Sequence, residues 1–296
     1  MELKGSPYDG HRETFYFSHR AHRGHRDKNF YCETEDTLKT ETLKSWEDFE
    51  EALAAINRQI EKLQQEKKRS RMEYPLYRGV SDFEHHLEST LDRIQKVLSF
   101  SDYCKILRIV NKSIATCTGR KWDLDTKEPK ISLGEFNLPV PTYEFMTYLR
   151  HNGFPSPLID WTKSPYIAAY FAFRDIYSTA KSVSIFVHMG KILYGQPLCS
   201  IWRLGPTITT DSKHYLQQSE YSVCVKHQGK ELYFANHENV EEDEEGADIL
   251  IKYNIPISEQ QKVLKKLDSM NITAYSLFNS EPSLMETLAL REIILK

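Results

Sequence analysis

The sequence lacks the paired cysteines and the long apolar runs that would place it in several protein classes at once. Its five cysteines are odd in number and widely spaced, and no CxxC pair occurs. This pattern indicates neither a zinc site nor a disulfide framework. No apolar run approaches the roughly 18 residues that a membrane span needs, and no signal peptide opens the chain. We therefore expect a reduced, cytoplasmic protein without membrane contact.

General catalytic motifs are also missing. The sequence contains no GxxxxGK[ST], HExxH, GxSxG or GxGxxG. Nucleoside triphosphatases, zinc proteases and ordinary serine hydrolases are therefore disfavoured, because their chemistry depends on those residues at those spacings. Acids and histidines do not cluster as a metal-dependent nuclease would require. We expect no bound metal.

Charge is nearly balanced over the 296 residues, with 27% charged side chains and a net charge of −3. The distribution is uneven, however. Residues 11–28 are rich in His and Arg, and residues 241–245 read EEDEE, which is typical of a solvated loop. The stretch HRAHRGH lacks the i, i+4 spacing of a helical zinc site, so we interpret residues 1–40 as a peripheral extension.

Hydrophobic periodicity predicts the order of elements. The first half is mostly helical, and the second half is mostly strands followed by two Ser-capped helices. The predicted helices are 46–63, 87–115, 142–153, 257–272 and 280–293, and 119–141 is a long connection. The predicted strands are 73–80, 182–189, 200–204, 219–226, 231–236 and 247–255. This order predicts an α+β fold with a mixed or antiparallel β core, formed by one domain over 41–296.

Arg78 ends an apolar strand in the sequence YPLYRG. A buried guanidinium needs a partner, so Arg78 either pairs with a carboxylate such as Asp82 or Asp160, or holds a phosphate group of a ligand. The residues alone leave both alternatives open.

The stretch SPLIDWTKSPYIAAYFAF, residues 156–173, joins a short strand to a buried helix. Thr162 or Ser164 can cap the helix that Pro165 begins. The same helix N-terminus presents free amides beside two hydroxyls, which suits an anion or a ribose. A simple helix cap and a ligand site both remain open here.

Gln218 and Glu220 stand two residues apart where an alternating strand begins, so we expect both side chains on one face of that strand. A lone Glu on a strand face is usually exposed to solvent. A Gln-x-Glu beside strands that carry Arg and Ser/Thr suggests a site.

Several of these stretches together resemble the FRG domain, a bacterial module named for its Phe/Tyr-Arg-Gly motif. The resemblance covers about residues 40–290. It rests on YRG (77–79), HNGFPSPLIDWTKSPYIAAYFAF (151–173), LQQSEYSV (216–223), and Asn271, Ile272, Ser276, Leu277 and Phe278. The chain departs from the family pattern at Val80, Pro157 and Asn279, where Gln, Arg and Pro are usual. The change at Pro157 removes a second arginine expected near the site.

The layout is also similar to the Arg–Ser/Thr–Glu arrangement of ADP-ribosyltransferases, which implies their fold and NAD as the substrate. The implied catalytic residues are Glu220 as the acid beside the ribose, Arg78 on the phosphates, and Gln218 toward the acceptor. The implied NAD-binding residues are Arg78, His151, Asp160, Thr162, Ser164, Tyr166 and Tyr170. Either tyrosine would stack on nicotinamide, and Asp160 would act mainly as an anchor. His151 would orient a ribose hydroxyl or simply cap the helix that ends there.

This resemblance implies a cytoplasmic ADP-ribosyltransferase of toxin or antiphage-effector type. The His/Arg-rich N-terminal extension favours a nucleic-acid acceptor such as RNA over a protein, and an antitoxin protein is an expected partner. The alternative is a non-catalytic FRG module that binds a nucleotide or a partner.

Overall fold

A computed structural model describes residues 38–65, 74–126, 130–133, 136–190, 199–205, 212–229, 231–240 and 249–296. All of these residues belong to one compact unit, Thr34–Lys296. Most of the predicted N-terminal extension and the acidic run at 241–245 lie outside the described residues.

The strands and helices alternate irregularly along the chain. The strands are β1 (Lys39–Thr42), β2 (Leu76–Val80), β3 (Lys130–Leu133), β4 (Phe136–Pro139), β5 (Ile159–Thr162), β6 (Ser182–Met189), β7 (Cys199–Gly205), β8 (Ser219–Gln228), β9 (Glu231–Phe234) and β10 (Ile249–Pro256). The helices are α1 (Trp46–Gln65), α2 (Phe100–Thr118), α3 (Val140–His151), α4 (Pro165–Phe173), α5 (Lys213–Leu216), α6 (Gln260–Ser269), α7 (Ala274–Phe278) and α8 (Glu281–Ala289). A π-helical turn, Leu290–Ile294, follows α8.

One mixed sheet organises the described part of the chain. Its strand order is β1-β10-β6-β2-β5-β8-β7, with β9 paired to β8. Strand β1 runs parallel to β10, and the other neighbours are antiparallel. A separate hairpin of β3 and β4 lies within the predicted connection. The mixed α and β architecture is confirmed.

Helices and loops cover both faces of the sheet. Strand β6 shows the division, because Val183, Ile185 and Val187 pack with α1, α4 and α6, whereas Phe186 packs with Leu76 and Trp161 on the opposite face. Helices α2 and α3 form a further core against β8. The strands in the middle of the sheet are therefore buried on both sides.

The prediction of one helix over 87–115 is wrong in its first part. Leu87 and Leu91 are buried as the periodicity suggested, but the chain there forms turns and a short 3₁₀ helix at Asp92–Ile94. Polar contacts hold these turns, since Asp92 accepts from the Ser89 amide at 2.8 Å and a Glu238 carboxylate oxygen accepts from the Leu87 amide at 2.6 Å. Helix α2 begins only after the Ser99 cap.

The glycine of the YRG motif lets α4 pack directly on β2. A Cβ atom at Gly79 would lie 1.8 Å from the carbonyl oxygen of Ala168 and 2.7 Å from the amide nitrogen of Ala172. No side chain fits in that space. The close approach places α4 beside the end of β2, where the candidate site lies.

Candidate functional site

A row of paired residues crosses three neighbouring strands of the sheet, β2, β5 and β8. Tyr77 of β2 pairs with Thr162 of β5, and Thr162 pairs with Ser219 of β8. These three residues line a cleft of about 310 Å³ together with Arg78 and Asp160. The YRG motif, the stretch 156–173 and the start of β8 therefore meet at one place.

Arg78 binds Asp160 through two hydrogen bonds. Its Nη1 donates to the main-chain oxygen and to a carboxylate oxygen of Asp160, each at 2.8 Å. Strands β2 and β5 share only the pair Tyr77↔Thr162, so the guanidinium bridges the strands where the ladder stops. Of the two partners that the sequence suggested for Arg78, Asp160 is confirmed.

A second arginine reaches the same carboxylate. Arg150, in the last turn of α3, donates through Nε to Asp160 and forms an ion pair with it. A second guanidinium therefore does lie at this point, although Pro157 stands where the resemblance implies an arginine. Periodicity places Arg150 in α3 but gives no sign of this contact, because the two residues meet only through the tertiary packing.

The two arginines determine the charge of Asp160. Burial by itself would raise its pKa, but the Arg150 and Arg78 guanidiniums outweigh that effect and hold the pKa well below its usual range. Asp160 is consequently an ionised anchor and not a proton donor. The three side chains together carry one net positive charge.

The hydroxyls of Thr162 and Ser164 both serve the local backbone. Thr162 donates to the Gln217 carbonyl at 2.8 Å and accepts from the Ser164 amide at 3.1 Å. Ser164 accepts from the Ile167 amide at 3.3 Å and so caps α4. Of the two, only Thr162 is among the described residues that line the cleft.

Glu220 lies on β8 one residue beyond Ser219 and is only 2% exposed. Its Oε2 accepts from the Tyr74 hydroxyl at 2.5 Å and lies 3.7 Å from the Lys163 ammonium. Lys163 also sits 4.8 Å from the centre of the Tyr74 ring. These two side chains cover the carboxylate, and Glu220 is not among the described residues that line the cleft.

Strand alternation separates the members of the predicted triad. Glu220 pairs with Trp161, and Thr162 pairs with Ser219, so the two couples occupy opposite faces of the sheet. Gln218 stands before β8 with a left-handed φ of 49°. The prediction that strand alternation places Gln218 and Glu220 on one face is therefore wrong.

His151 ends α3 and contacts β8. Its Nε2 lies 2.7 Å from the Tyr221 hydroxyl, and its ring centre lies 4.9 Å from that of His214. Tyr221 pairs with Asp160 across the sheet. His151 is therefore linked to the Asp160 anchor through Tyr221, although it is not among the described residues that line the cleft.

The two tyrosines predicted to stack on nicotinamide do not line the cleft, although Tyr170 lines a neighbouring cavity. Tyr166 packs into the core, with its ring centre 6.3 Å from that of Trp46. Tyr170 is buried and donates to Glu286 at 2.9 Å. Neither belongs to the described lining of the cleft, whose aromatic residues are Tyr77, Trp161, Phe171 and His85.

Sequence reasoning missed several members of the site. His85 lines the cleft from the loop after β2, and Tyr74 and Lys163 cover Glu220. The sequence could have indicated Lys163, because it lies between Thr162 and Ser164 within residues 156–173. His85 is held in place by contacts distant in sequence, since the Lys252 ammonium donates to its carbonyl at 3.1 Å.

Two kinds of feature, a membrane-spanning helix and a group of metal ligands, are absent from the described residues. No helix among them combines the length and apolar character needed to cross a membrane. Within the same residues, no three His, Cys, Asp or Glu side chains form a group that could hold a metal ion.

Part of the chain matches a known protein family. Residues 73–181 match the family model of the FRG domain. This range includes Arg78, Asp160 and Thr162 but ends before Glu220, so it is narrower than the expected 40–290. Comparison with curated proteins and with solved structures gave no match. The similarity to ADP-ribosyltransferases therefore stays a prediction.

Proposed function

Since residues 73–181 form an FRG domain, we propose that this chain is an NAD-dependent ADP-ribosyltransferase that works at the cleft beside Arg78. One observation carries the proposal: Arg78, Thr162 and Glu220 come from β2, β5 and β8, which are direct neighbours in the sheet, although Thr162 and Glu220 lie on opposite faces of it. This is the order in which an Arg–Ser/Thr–Glu site needs them.

Arg78 is the group that holds the diphosphate of NAD. In the described part of the chain its Nη1 makes both bonds to Asp160, while Nε and Nη2 make none. Those two nitrogens are donors of a planar fork that suits phosphate oxygens. Asp160 and Arg150 fix the orientation of the guanidinium in advance, so that little side-chain entropy is lost on binding.

The transfer reaction breaks the bond between the ribose and nicotinamide. Nicotinamide leaves with the bonding electron pair, positive charge develops on the ribose, and an acceptor oxygen or nitrogen attacks and then loses its proton. A carboxylate next to the ribose stabilises that charge where it appears. Glu220 takes this role once the ribose 2′-hydroxyl replaces the Tyr74 hydroxyl on Oε2. Tyr74 is 46% exposed, and its displacement costs this hydrogen bond together with the contacts of its ring with Lys163 and Arg203.

The acceptor that we favour is a nucleic acid such as RNA. Two cations lie over the ring of Tyr74, Lys163 at 4.8 Å and Arg203 at 5.2 Å from its centre. Cations beside the reacting carboxylate attract a phosphate backbone, as the His/Arg-rich extension would. An activity of this type suits a toxin or antiphage effector, and it predicts growth inhibition on expression that Glu220→Gln relieves.

The test measures nicotinamide release and label transfer from NAD, with RNA and protein offered as separate acceptors. We expect Glu220→Gln to reduce both by about 100-fold or more, and Arg78→Ala to weaken NAD binding. Glu231→Gln is the matched control, because Glu231 is also a carboxylate that accepts from a tyrosine hydroxyl, at 3.0 Å, but it is exposed at the start of β9. Absence of nicotinamide release by the wild type with either acceptor overturns the proposal.

A second candidate function is nucleotide binding without catalysis. The observation in its favour is the burial of Glu220, which is 2% exposed and covered by Tyr74 and Lys163. Such a module binds NAD with an affinity that depends on Arg78 but releases no nicotinamide, and Glu220→Gln leaves the affinity unchanged. Calorimetric titration of the wild type and both variants separates the two candidates.

A further inference from the structure

A second cavity of about 540 Å³ adjoins the cleft. Ser81 and Phe171 line both spaces, so the two share a wall just after the end of β2. The second cavity lies between α4 and the C-terminal helices. Its apolar lining includes Phe171, Ile176, Leu264, Ala289 and Leu290.

The direction of a dinucleotide across the site follows from the strand order. On the proposed function, the diphosphate lies at Arg78 on β2 and the reacting ribose lies toward β8, whose Ser219 lines the cleft next to Glu220. Ser81 follows directly after β2 and lines the cleft on the side away from β8. The half of the molecule beyond the diphosphate therefore extends toward the shared wall and the second cavity.

The chemistry of the cavity suits a flat base attached to a polar sugar. Its size falls within the range of small-molecule sites, which combine an apolar lining with a few polar groups. Tyr177 lines it and is 85% exposed. Because its ring is not packed in the core, the ring can move over a bound base. The polar groups in its lining include Arg174 and Glu286, and Arg174 donates to Glu286 at 2.8 Å.

We propose that this second cavity binds the adenosine half of NAD. The inference rests on the proposed function, because it takes the diphosphate at Arg78 and the reacting ribose at Glu220 as its starting points. Stacking between Tyr177 and the adenine ring contributes to affinity, and the apolar lining excludes water from the other side of the base.

The experiment compares three probes by calorimetric titration: NAD, nicotinamide mononucleotide and adenosine monophosphate. Tyr177→Ala is expected to weaken NAD and adenosine monophosphate about tenfold, the loss of one stacked base, and to leave nicotinamide mononucleotide unchanged. Tyr215→Ala is the matched control, because Tyr215 is 87% exposed and lines neither space. It should change none of the three affinities.

A second variant fills the cavity. Ala289 is half-buried in its lining, and Ala289→Trp should weaken NAD and adenosine monophosphate at least as much as Tyr177→Ala. The melting temperature of each variant shows that the fold is kept. Unchanged NAD and adenosine monophosphate affinities in both variants overturn this inference while the proposed function stands. Failure of the wild type to bind nicotinamide mononucleotide or to release nicotinamide counts instead against the proposed function, whereas failure to bind adenosine monophosphate counts against the second cavity.

Discussion

Arg78 and Asp160 are joined by both the side chain and the main chain of the acid, since one guanidinium nitrogen donates to the carbonyl and to the carboxylate at 2.8 Å. The contact closes the gap between β2 and β5 beyond their single ladder pair. Arg150 holds the same carboxylate from α3. One aspartate therefore connects a helix to two strands, and the ends of those elements form the cleft.

Asp160→Asn should lower the free energy of unfolding by about 2 kcal/mol, because it leaves two guanidiniums facing each other without a counter-charge. Urea denaturation at pH 7 measures this loss. Asp125→Asn is the control, since Asp125 is exposed and pairs with Arg108 alone. That change should cost less than about 0.5 kcal/mol. Equal losses in the two variants would show that Asp160 is no anchor.

The same residue predicts an acid dependence. The pKa of Asp160 is lowered in the folded state, so its carboxylate stabilises the fold above the ordinary value of 3.8. Below that pH the unfolded chain takes up a proton that the folded chain does not, and the stabilisation decreases as the pH falls toward the folded pKa. The difference between wild type and Asp160→Asn should be constant from pH 5 to 8 and shrink below about pH 4. A difference that grows in acid would contradict the ion-pair assignment.

Gly79→Ala should lower the free energy of unfolding more than Gly119→Ala does. The new methyl would meet the main chain of Ala168 and Ala172, which cannot move without separating α4 from β2. Overpacking of this kind costs about 1–3 kcal/mol or more. Gly119→Ala is the comparison, because Gly119 has a φ of 72° and an added Cβ there meets nothing within 4 Å. It should cost about 1 kcal/mol. A smaller loss for Gly79→Ala than for Gly119→Ala would show that the packing is loose.

The sequence could predict those parts of the site that depend on neighbouring residues in the chain. It could not predict the parts that depend on contacts between distant residues. Local pattern sufficed for the cap at Ser164, which depends on Pro165 and on the amide three residues ahead. It also sufficed for the strand that carries Glu220. It could not place Tyr166 and Tyr170 relative to the cleft, because α4 is apolar on all sides and periodicity does not show which side meets the cleft.

Contacts between residues far apart in the chain were out of reach. Arg150 and Asp160 meet because α3 packs beside β5, and Lys252 reaches the loop that carries His85 from more than 160 residues away. The wrong prediction of a helix before α2 has the same cause, since a carboxylate oxygen of Glu238 accepts from the Leu87 amide. Each of these is a polar contact whose partner the periodicity of apolar residues does not identify.

Ser164→Ala should cost about 1 kcal/mol of stability by removing the acceptor for the Ile167 amide. Because that hydroxyl is committed to the cap, the variant should bind NAD within about twofold of the wild type. Ser280→Ala, which removes the corresponding cap of α8, should cost a similar amount. Thermal denaturation and NAD titration measure the two effects. A large loss of NAD affinity with unchanged stability would instead place Ser164 in the ligand site.

His237→Gln should make the free energy of unfolding less dependent on pH below pH 6.5. His237 is fully buried, and its Nε2 lies 2.9 Å from the Ser222 hydroxyl, which itself accepts from the Trp161 indole at 2.7 Å. Burial, and after it the nearby His188, Arg78 and Arg150, lower the pKa of His237 well below 6.5. Below pH 6.5 the unfolded chain binds a proton that the folded chain refuses. The free energy of unfolding then falls by about 1.4 kcal/mol per pH unit from this residue alone.

Glutamine at this position keeps a polar side chain but does not titrate, so the stability of the variant should decline less steeply between pH 6.5 and 5. Ser222→Ala separates the proton from the hydrogen bond, because it removes the hydroxyl and leaves the imidazole. That variant should be less stable than the wild type at pH 7.5 and should keep at least its steep acid slope. Urea titrations at half-unit pH steps give the slopes, and parallel curves for wild type and His237→Gln would rule out His237 as the source of the acid sensitivity.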